Sequence, residues 1–424
     1  MTSERLVNLY PEASPSGREQ VALRSTPGLV EAVSIGAGSV RAMLATTSSL
    51  YAVCDRKLIE WDGATAFERG SVADGPATMA WNGTELAITV GGNYYIWDGT
   101  TLDTITGGAF SSIGSVEYVD TYFTRTEKDG SRLDVTGILD GKTLLASDFA
   151  SAEHAPDNIV RVVSSAGLIW YMGTNTVEPW QNVGSADFPF APVQSTVIEK
   201  GLRGIDDVAL LDNTFFWISS EGRVYRHTNF SPVRISTHAV EAAIKEPETR
   251  CFAYQHDGHD FLVVRCAGRP AYVYDAATQS WHERSTGTAY GAWDAVSSAY
   301  FQNTWYVGTD DGSICTLSGY QDRGQELRRE ATSRNITNGG NRFVVSQVDV
   351  RCSAGAGGTL MSQYSRDGGR TWSRERQRDL GAVGEYDHRQ KWHALGQGRE
   401  FCFRLAVTDN VDFGIFDASV NGQP

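Results

Sequence analysis

Short apolar runs separated by turn-forming clusters recur along most of the chain. In the clearest case, 251–285, the apolar runs are Cys251–Tyr254, Phe261–Val264, Ala271–Tyr274 and Trp281–Arg284. Runs this short, bounded by Gly, Asp, Ser and Pro, are typical of β-strands rather than helices. Phe261–Val264 has no polar alternation, which predicts a strand buried on both faces. Four such strands in succession predict one blade of a β-propeller.

Divergent copies of this unit are predicted throughout 35–320. Trp217 follows Trp170 by 47 residues, and Val263 follows Trp217 by 46. A constant spacing in this range is typical of propeller blades. We count six clear blades and an incomplete seventh, and we predict a single helical turn at 239–245.

Two segments flank the predicted propeller. Residues 1–34 form an extended arm, whose apolar Leu6, Leu9 and Tyr10 should dock on the C-terminal domain or on a neighbouring subunit. Residues 321–424 are expected to form a β-sandwich. Its strands are predicted at 343–350, 359–364, 391–395, 401–407 and 413–416. The expected fold is therefore all-β: a six- or seven-bladed β-propeller with a C-terminal β-sandwich domain and an extended N-terminal arm.

Composition and charge limit the possible functions. The 11 Trp, 17 Tyr and 17 Phe residues are enough for a large core and exclude a disordered chain. Residues 326–424 carry 14 basic and 12 acidic side chains, so residues 1–325 hold a net charge of −16. Phosphate binding requires Lys and Arg to displace counterions. The acidic body argues against a protein that wraps nucleic acid, but not against a wall past which DNA slides.

No cofactor or metal is expected. The six cysteines include no CxxC pair and are predicted to be buried, reduced thiols. His256–Asp260 contains possible metal ligands, but its central Asp-Gly predicts a hairpin tip instead. No apolar run approaches membrane-spanning length, and the N-terminus has no signal-peptide core. We therefore expect no membrane insertion and folding in a cytoplasm.

The strongest local motif is an Asp box, S-x-D-x-G-x-T-W, formed by Ser365, Asp367, Gly369, Thr371 and Trp372. It predicts a hairpin in which the Asp carboxylate accepts turn amides and the Trp packs beneath. Such turns occur in sialidases and also far from any active site. A sialidase-like enzyme also needs an arginine cluster, a tyrosine nucleophile and acidic partners in one cleft, which the sequence does not assemble. We therefore interpret the motif as structural.

Five arginines fall between Arg366 and Arg378 and are interleaved with acidic residues. Two interpretations stay open: a solvated strand face, or a contact with an acidic partner or with DNA phosphates. The candidate partner-binding residues are Arg374, Arg376 and Arg378, together with Leu6, Leu9 and Tyr10 of the arm.

Further motifs occur in order along nearly the whole chain. They are Leu6-Val-Asn-Leu-Tyr-Pro-Glu, Thr26-Pro-Gly-Leu, Leu168-Ile-Trp-Tyr-Met-Gly, Glu178-Pro-Trp-Gln-Asn-Val-Gly, Asp187-Phe-Pro-Phe, Ile198-Glu-Lys-Gly, Arg234-Ile-Ser-Thr-His-Ala-Val-Glu, Gly258-His-Asp-Phe, Val273-Tyr-Asp, Trp281-His-Glu-Arg, Trp392-His-Ala-Leu-Gly and Phe403-Arg-Leu. Each is short, but together they resemble the packaged-DNA stabilization proteins of short-tailed bacteriophages.

The resemblance implies a non-enzymatic tail accessory protein of the virion, assembled in the host cytoplasm. Such proteins form a sixfold ring, the tail hub or nozzle, below the portal and adaptor, and contact tail needle or tail fibre proteins. The ring closes the head after packaging and becomes the exit tube, with DNA in its lumen held without sequence specificity. The alternative is a sialidase-like or carbohydrate-binding β-propeller, such as a tail adhesin.

Overall fold

The computed structural model describes residues 4–13, 21–152, 157–185, 188–245, 248–386 and 388–423. Residues 14–20 of the predicted arm and Asp187 of the family-like motifs lie outside these ranges. The chain divides into two compact units. We call Glu31–Ala267 with Asp294–Thr316 the propeller unit, and Met1–Val30 with Gly268–Trp293 and Leu317–Pro424 the sandwich unit.

The described residues form strands and one helix, numbered here in chain order. The first strands are β1 (Arg5–Val7), β2 (Leu9–Ala13), β3 (Val21–Ser25), β4 (Leu29–Ser34), β5 (Val40–Ala45), β6 (Leu50–Cys54), β7 (Lys57–Trp61), β8 (Ala66–Ser71), β9 (Ala77–Trp81), β10 (Leu86–Val90), β11 (Asn93–Trp97), β12 (Leu102–Ile105), β13 (Ile113–Val119), β14 (Tyr122–Glu127), β15 (Arg132–Gly137) and β16 (Asp140–Ser151). Next come β17 (Ile159–Ser165), β18 (Leu168–Gly173), β19 (Val177–Asn182), β20 (Phe190–Pro192), β21 (Val208–Leu211), β22 (Thr214–Ile218), β23 (Val224–Thr228), β24 (Ser231–Arg234) and the helix α1 (His238–Ile244).

The remaining strands follow the helix. They are β25 (Thr249–His256), β26 (His259–Cys266), β27 (Ala271–Asp275), β28 (Ser280–Thr286), β29 (Gly291–Ala292), β30 (Ala295–Phe301), β31 (Thr304–Thr309), β32 (Ser313–Leu317), β33 (Gln321–Asp322), β34 (Gln325–Glu326), β35 (Arg329–Thr332), β36 (Ile336–Thr337), β37 (Phe343–Cys352), β38 (Thr359–Ser365), β39 (Arg376–Asp379), β40 (Arg389–Gly398), β41 (Glu400–Val407) and β42 (Gly414–Gln423).

The propeller unit is a ring of antiparallel sheets. Its complete four-stranded meanders are β5–β8, β9–β12, β13–β16, β17–β20 and β21–β24. Within the described residues, seven inner strands succeed one another around the ring: β5, β9, β13, β17, β21, β25 and β30. The ring closes between the last and the first, where Ser297 Oγ donates to Val40 O at 2.7 Å. The predicted blade architecture is therefore present, with seven inner strands.

The last sheet takes its outer strand from the other end of the chain. After β30, β31 and β32, the next position is held by β4. Ile35 N donates to Gly312 O at 2.8 Å, and Ser313 Oγ donates to Glu31 Oε2 at 2.8 Å. The boundary predicted for the arm is therefore too late in the sequence: residues 31–34 belong to a strand of the propeller unit. A strand from the N-terminal side covers an edge that would otherwise be open.

Several second strands of the propeller sheets are completely buried, which explains why their apolar runs could be recognised in the sequence. Every residue of β6, β10 and β22 is buried. Trp170 and Trp217, whose spacing suggested the repeat, occupy the second strands of consecutive sheets and share one apolar cluster. The helix lies close to its predicted position, and its N-cap Thr237 accepts from Val240 N at 3.4 Å.

The sandwich unit contains two facing sheets, and the arm contributes to both. One sheet runs β27-β28-β1-β35-β41-β38-β39 with β36 beside β41, and the other runs β2-β3-β42-β37-β40. Its core is formed by Leu9, Phe343, Val345, Val348, Val350, Cys352, Leu360, Leu380, Trp392, Leu395, Phe401, Phe403, Leu405, Val407, Phe413 and Ile415. The first strands of the chain are therefore structural members of the sandwich.

Candidate functional site

The Asp box forms the expected hairpin turn between β38 and β39. Asp367 Oδ1 accepts from Thr371 N at 2.9 Å, and Asp367 Oδ2 accepts from Thr371 Oγ1 at 2.6 Å. Ser365 Oγ accepts from Gly369 N at 2.9 Å, and Gly368 and Gly369 have φ of +70° and +87°. The hydrogen bonds from Thr371 hold the pKa of the Asp367 carboxyl well below its ordinary value.

Trp372, the last residue of the Asp box, contacts an arginine of a neighbouring strand. Its ring is half-buried and faces the guanidinium of Arg404, whose Cζ lies 3.9 Å from the ring centroid. A cation from β41 therefore covers one face of the indole, and packing of Trp372 beneath the turn stays a prediction. Arg404 in turn places Nε 3.1 Å from Oε1 of Glu330.

Glu330 is the centre of a buried polar cluster that sequence reasoning missed. Its side chain is 1% exposed. The groups around it are Arg328 Nε at 3.0 Å, Tyr290 Oη at 2.5 Å and Arg404 Nε at 3.1 Å. Nearby, Arg5 Nη2 of β1 pairs with Glu283 Oε2 at 2.6 Å, and this bond raises the pKa of Arg5. The sequence contains one local indication of this cluster. Arg328, Arg329 and Glu330 are three consecutive charged residues at the start of a strand, where apolar residues are expected.

Three of the clustered arginines bridge the edges of the two sandwich sheets. β39 and β40 are the edge strands of their sheets. The bonds are Arg366 Nη2 to Leu395 O at 2.5 Å, Arg376 Nη1 to His393 O at 3.2 Å and Arg378 Nε to Lys391 O at 3.3 Å. The acceptors are alternate residues of β40, so they face the same edge. We call this row the arginine seam; it protects edge carbonyls from pairing with another strand.

The predicted partner-binding residues therefore differ in how much surface they offer. Arg374 and Arg378 are exposed and Arg376 is half-buried, but Arg376 and Arg378 also donate hydrogen bonds in the seam. Leu9 is fully buried and Tyr10 is 3% exposed, so neither offers surface to a partner, while Leu6 is half-buried. Partner binding by Arg374, Arg376, Arg378 and Leu6 stays a prediction.

The possible metal site at 256–260 is a hairpin tip. His256 and His259 are paired across β25 and β26, and the two residues between them have φ of +49° and +80°. Across the described ranges, no group of three or more His, Cys, Asp and Glu side chains is placed to hold a metal ion. All six cysteine side chains are buried, and burial raises the pKa of the Cys352 thiol to about 11.

Two surface cavities lie in the propeller unit. One, of about 340 Å³, adjoins the Lys200–Glu221 ion pair of 2.9 Å. The other, of about 330 Å³, adjoins Trp180 and Glu178. Neither lining contains an arginine or a tyrosine, which a sialidase-like site requires. Within the part of the chain that the structure describes, no helix has the length and apolarity needed to cross a membrane.

Two family models match consecutive parts of the chain. The model described as the β-propeller of bacteriophage P22 Gp10 matches residues 2–320, and the model described as its β-sandwich matches residues 328–423. No curated protein matches the chain.

Several solved structures show a distant likeness to the chain. RRP9 WD40 repeats are 11% identical, with a TM-score of 0.46, covering 70% of this chain and 99% of that one. YCF48 from Cyanidioschyzon merolae is 13% identical, with a TM-score of 0.46 and coverages of 69% and 98%. The computationally designed Ika8 protein is 14% identical, with a TM-score of 0.43 and coverages of 74% and 99%.

Proposed function

The chain belongs to the family of bacteriophage P22 Gp10, and on that premise we propose that it forms the hub, or nozzle, of a short phage tail. It is a structural protein of the phage tail and a component of the virion. In the proposed role, copies of the chain assemble as a ring of six below the portal and adaptor. The ring retains the packaged genome and later becomes the channel through which DNA leaves.

One observation carries this proposal: the two matches together span 2–320 and 328–423, so nearly every residue is accounted for by the family. Each unit is built mainly from strands joined by turns, and rigid units of this kind suit a ring subunit. A ring also requires large heterologous surfaces between copies.

The uneven charge supports different roles for two parts of the chain: residues 1–325 would line the DNA channel, and residues 326–424 would bind the adaptor. A channel wall with net negative charge would not hold DNA through counterion release. Residues 326–424, net +2, offer exposed cations such as Arg374 to an acidic face of the adaptor. Tail needle or tail fibre proteins would bind elsewhere on the ring. We expect no enzymatic activity.

The test is a particle assembled without this chain. Heads made in its absence should package DNA and then lose it, and adding the purified chain should restore retention. Negative-stain images of the purified chain, or of tails that contain it, should show a sixfold ring. Heads that keep their DNA without the chain would contradict the proposed retention role.

A further inference from the structure

Two adjacent turns at one end of the third propeller sheet expose a pair of aliphatic side chains. Gly137 pairs with Asp140, so Ile138 and Leu139 form a two-residue hairpin loop between β15 and β16. Ile138 is 64% exposed and Leu139 is 54% exposed. Leu139 has φ of +55°, a conformation that bulky residues rarely adopt because the Cβ crowds the backbone. The loop therefore holds two apolar side chains in water at a conformational cost.

The neighbouring turn fixes this conformation. Leu139 N donates to Thr121 O at 2.8 Å, and Thr121 itself has φ of +76°. A positive φ is still rarer for a β-branched residue. Backbone strain of this kind persists only where the surrounding contacts impose it, and it is concentrated at functional positions.

Polar contacts anchor the same hairpin to the sheet before it. Gly141 N donates to Glu85 Oε2 at 2.7 Å. Lys142 Nζ bonds Asp98 Oδ2 at 2.7 Å and Asp103 Oδ2 at 2.8 Å. Asp140 Oδ2 accepts from Thr143 Oγ1 at 2.6 Å. The backbone that carries Ile138 and Leu139 is therefore held in place by these hydrogen bonds and ion pairs.

Rigidly held apolar side chains are the features that anchor protein interfaces. An anchor that is already ordered loses little entropy on binding, and such residues fill pockets at the centre of an interface. The carboxylates of Glu85, Asp98, Asp103 and Asp140 hold or flank this hairpin, and the ammonium of Lys142 pairs with two of them. A complementary surface is then apolar in the middle and basic at its rim.

We propose that Ile138 and Leu139 form an anchor that inserts into an apolar pocket of a partner protein in the virion, with Lys or Arg side chains around that pocket. The proposal rests on the proposed tail location, because the partner is taken to be another virion protein. The carboxylates around Ile138 and Leu139 would repel anionic lipid headgroups. We therefore take the binding partner to be a protein rather than a lipid surface.

A photo-crosslinking amino acid placed at position 138 of the full chain, in assembled particles, tests the proposal. Val233 is the matched control, since it is 46% exposed on an outer propeller strand. We expect one discrete adduct from position 138, to a different virion protein, at an apolar site flanked by basic residues, and none from position 233. No adduct, equal adducts from both positions, an adduct to lipid, or one to a second copy of this chain would overturn it.

A second measurement separates anchoring from folding. Leu139→Gly removes the side chain and suits a positive φ, so it should leave thermal stability unchanged or higher. Combined with Ile138→Ser, it should lower the amount of the crosslink-identified partner that is retained in assembled particles at least about tenfold. Retention equal to that of the wild type would overturn the proposal. If the chain were absent from purified particles, the proposed tail role itself would fail, which mass spectrometry of those particles detects separately.

Discussion

At the scale of single residues, buried charge distinguishes this chain from an ordinary β-protein. Arg125 and Asp134 face each other across β14 and β15, each with a side chain 1% exposed and with Nη2 and Oδ2 2.5 Å apart. The guanidinium Cζ also lies 4.7 Å from the Tyr94 ring centroid. A buried pair of this kind depends on both members, because one charge left alone in the interior is strongly unfavourable.

Asp134→Asn should therefore destabilise the propeller unit by roughly 3–5 kcal/mol, the usual cost of stranding a buried charge. Urea unfolding followed by tryptophan fluorescence measures the change. The double variant Arg125→Met with Asp134→Leu is the control, since removing both charges should recover most of the loss. A single variant as stable as the wild type would show that solvent reaches Arg125.

The Asp box predicts a pH dependence. Because the pKa of Asp367 is depressed in the folded turn, its contribution to stability is present above the unfolded value of about 3.9 and is lost as pH falls. The Thr371 amide resonance should therefore keep its turn-bound shift at neutral pH and lose it only in strong acid. Asp367→Asn should remove this transition. Glycan cleavage that vanishes in this variant would contradict the structural interpretation.

At the scale of elements, the arginine seam and the arm both show that sandwich edges are covered from within the chain. Guanidinium groups occupy the β40 edge, and β3 pairs with β42 through Leu23 and Ile415. Leu9, Arg376 and Arg378, which the sequence predicts as partner contacts, thus also make contacts within the sandwich unit.

Charge reversals within the arginine cluster should separate these roles. Arg374→Glu, at an exposed position, should impair the joining of tails to heads while leaving the melting temperature unchanged. Arg376→Glu with Arg378→Glu should instead lower the melting temperature, because two of the three seam donors are lost. Calorimetry beside a co-assembly assay compares them. A stable Arg376 and Arg378 double variant would mean that the seam adds nothing to the fold.

Deleting residues 2–12 should open the sandwich core, because Leu9 fills it and β1 lies between β28 and β35. Hydrogen exchange should accelerate in β41 and β42 and stay slow in β6, β10 and β22. Leu9→Ala alone should cost about 2–5 kcal/mol in the same unit. Equal acceleration in both units would place the arm in the propeller core.

Strands buried on both faces could be predicted from sequence because burial leaves an uninterrupted apolar run, as in Phe261–Val264. Long-range partners could not. Nothing local to 31–34 indicates pairing with 313–316, and Glu330 meets Tyr290 and Arg404 only after folding. The left-handed Leu139 was equally hidden, because sequence preferences there favour a Gly or Asn.

At the scale of the whole molecule, the charge distribution argues for weak contact with nucleic acid. With a net charge of −14, the purified protein should bind duplex DNA at physiological salt with a Kd of roughly 10⁻⁴ M or weaker. Filter-binding titrations over a range of salt concentrations measure this. Tight, steeply salt-dependent binding that is lost when Arg374, Arg376 and Arg378 are all reversed to Glu would mean that these arginines hold DNA.

The placement of β1–β4 sets the order of events during synthesis. These strands are made before β32 and β42, which are among their partners. At roughly 5–20 residues per second, the stretch from the end of β4 to the start of β42, about 380 residues, takes about 20–80 s to synthesise. The propeller unit can take up β4 as soon as β32 has left the ribosome, whereas β3 has to wait for β42. Emergence of β42 is therefore the step that completes the sandwich unit.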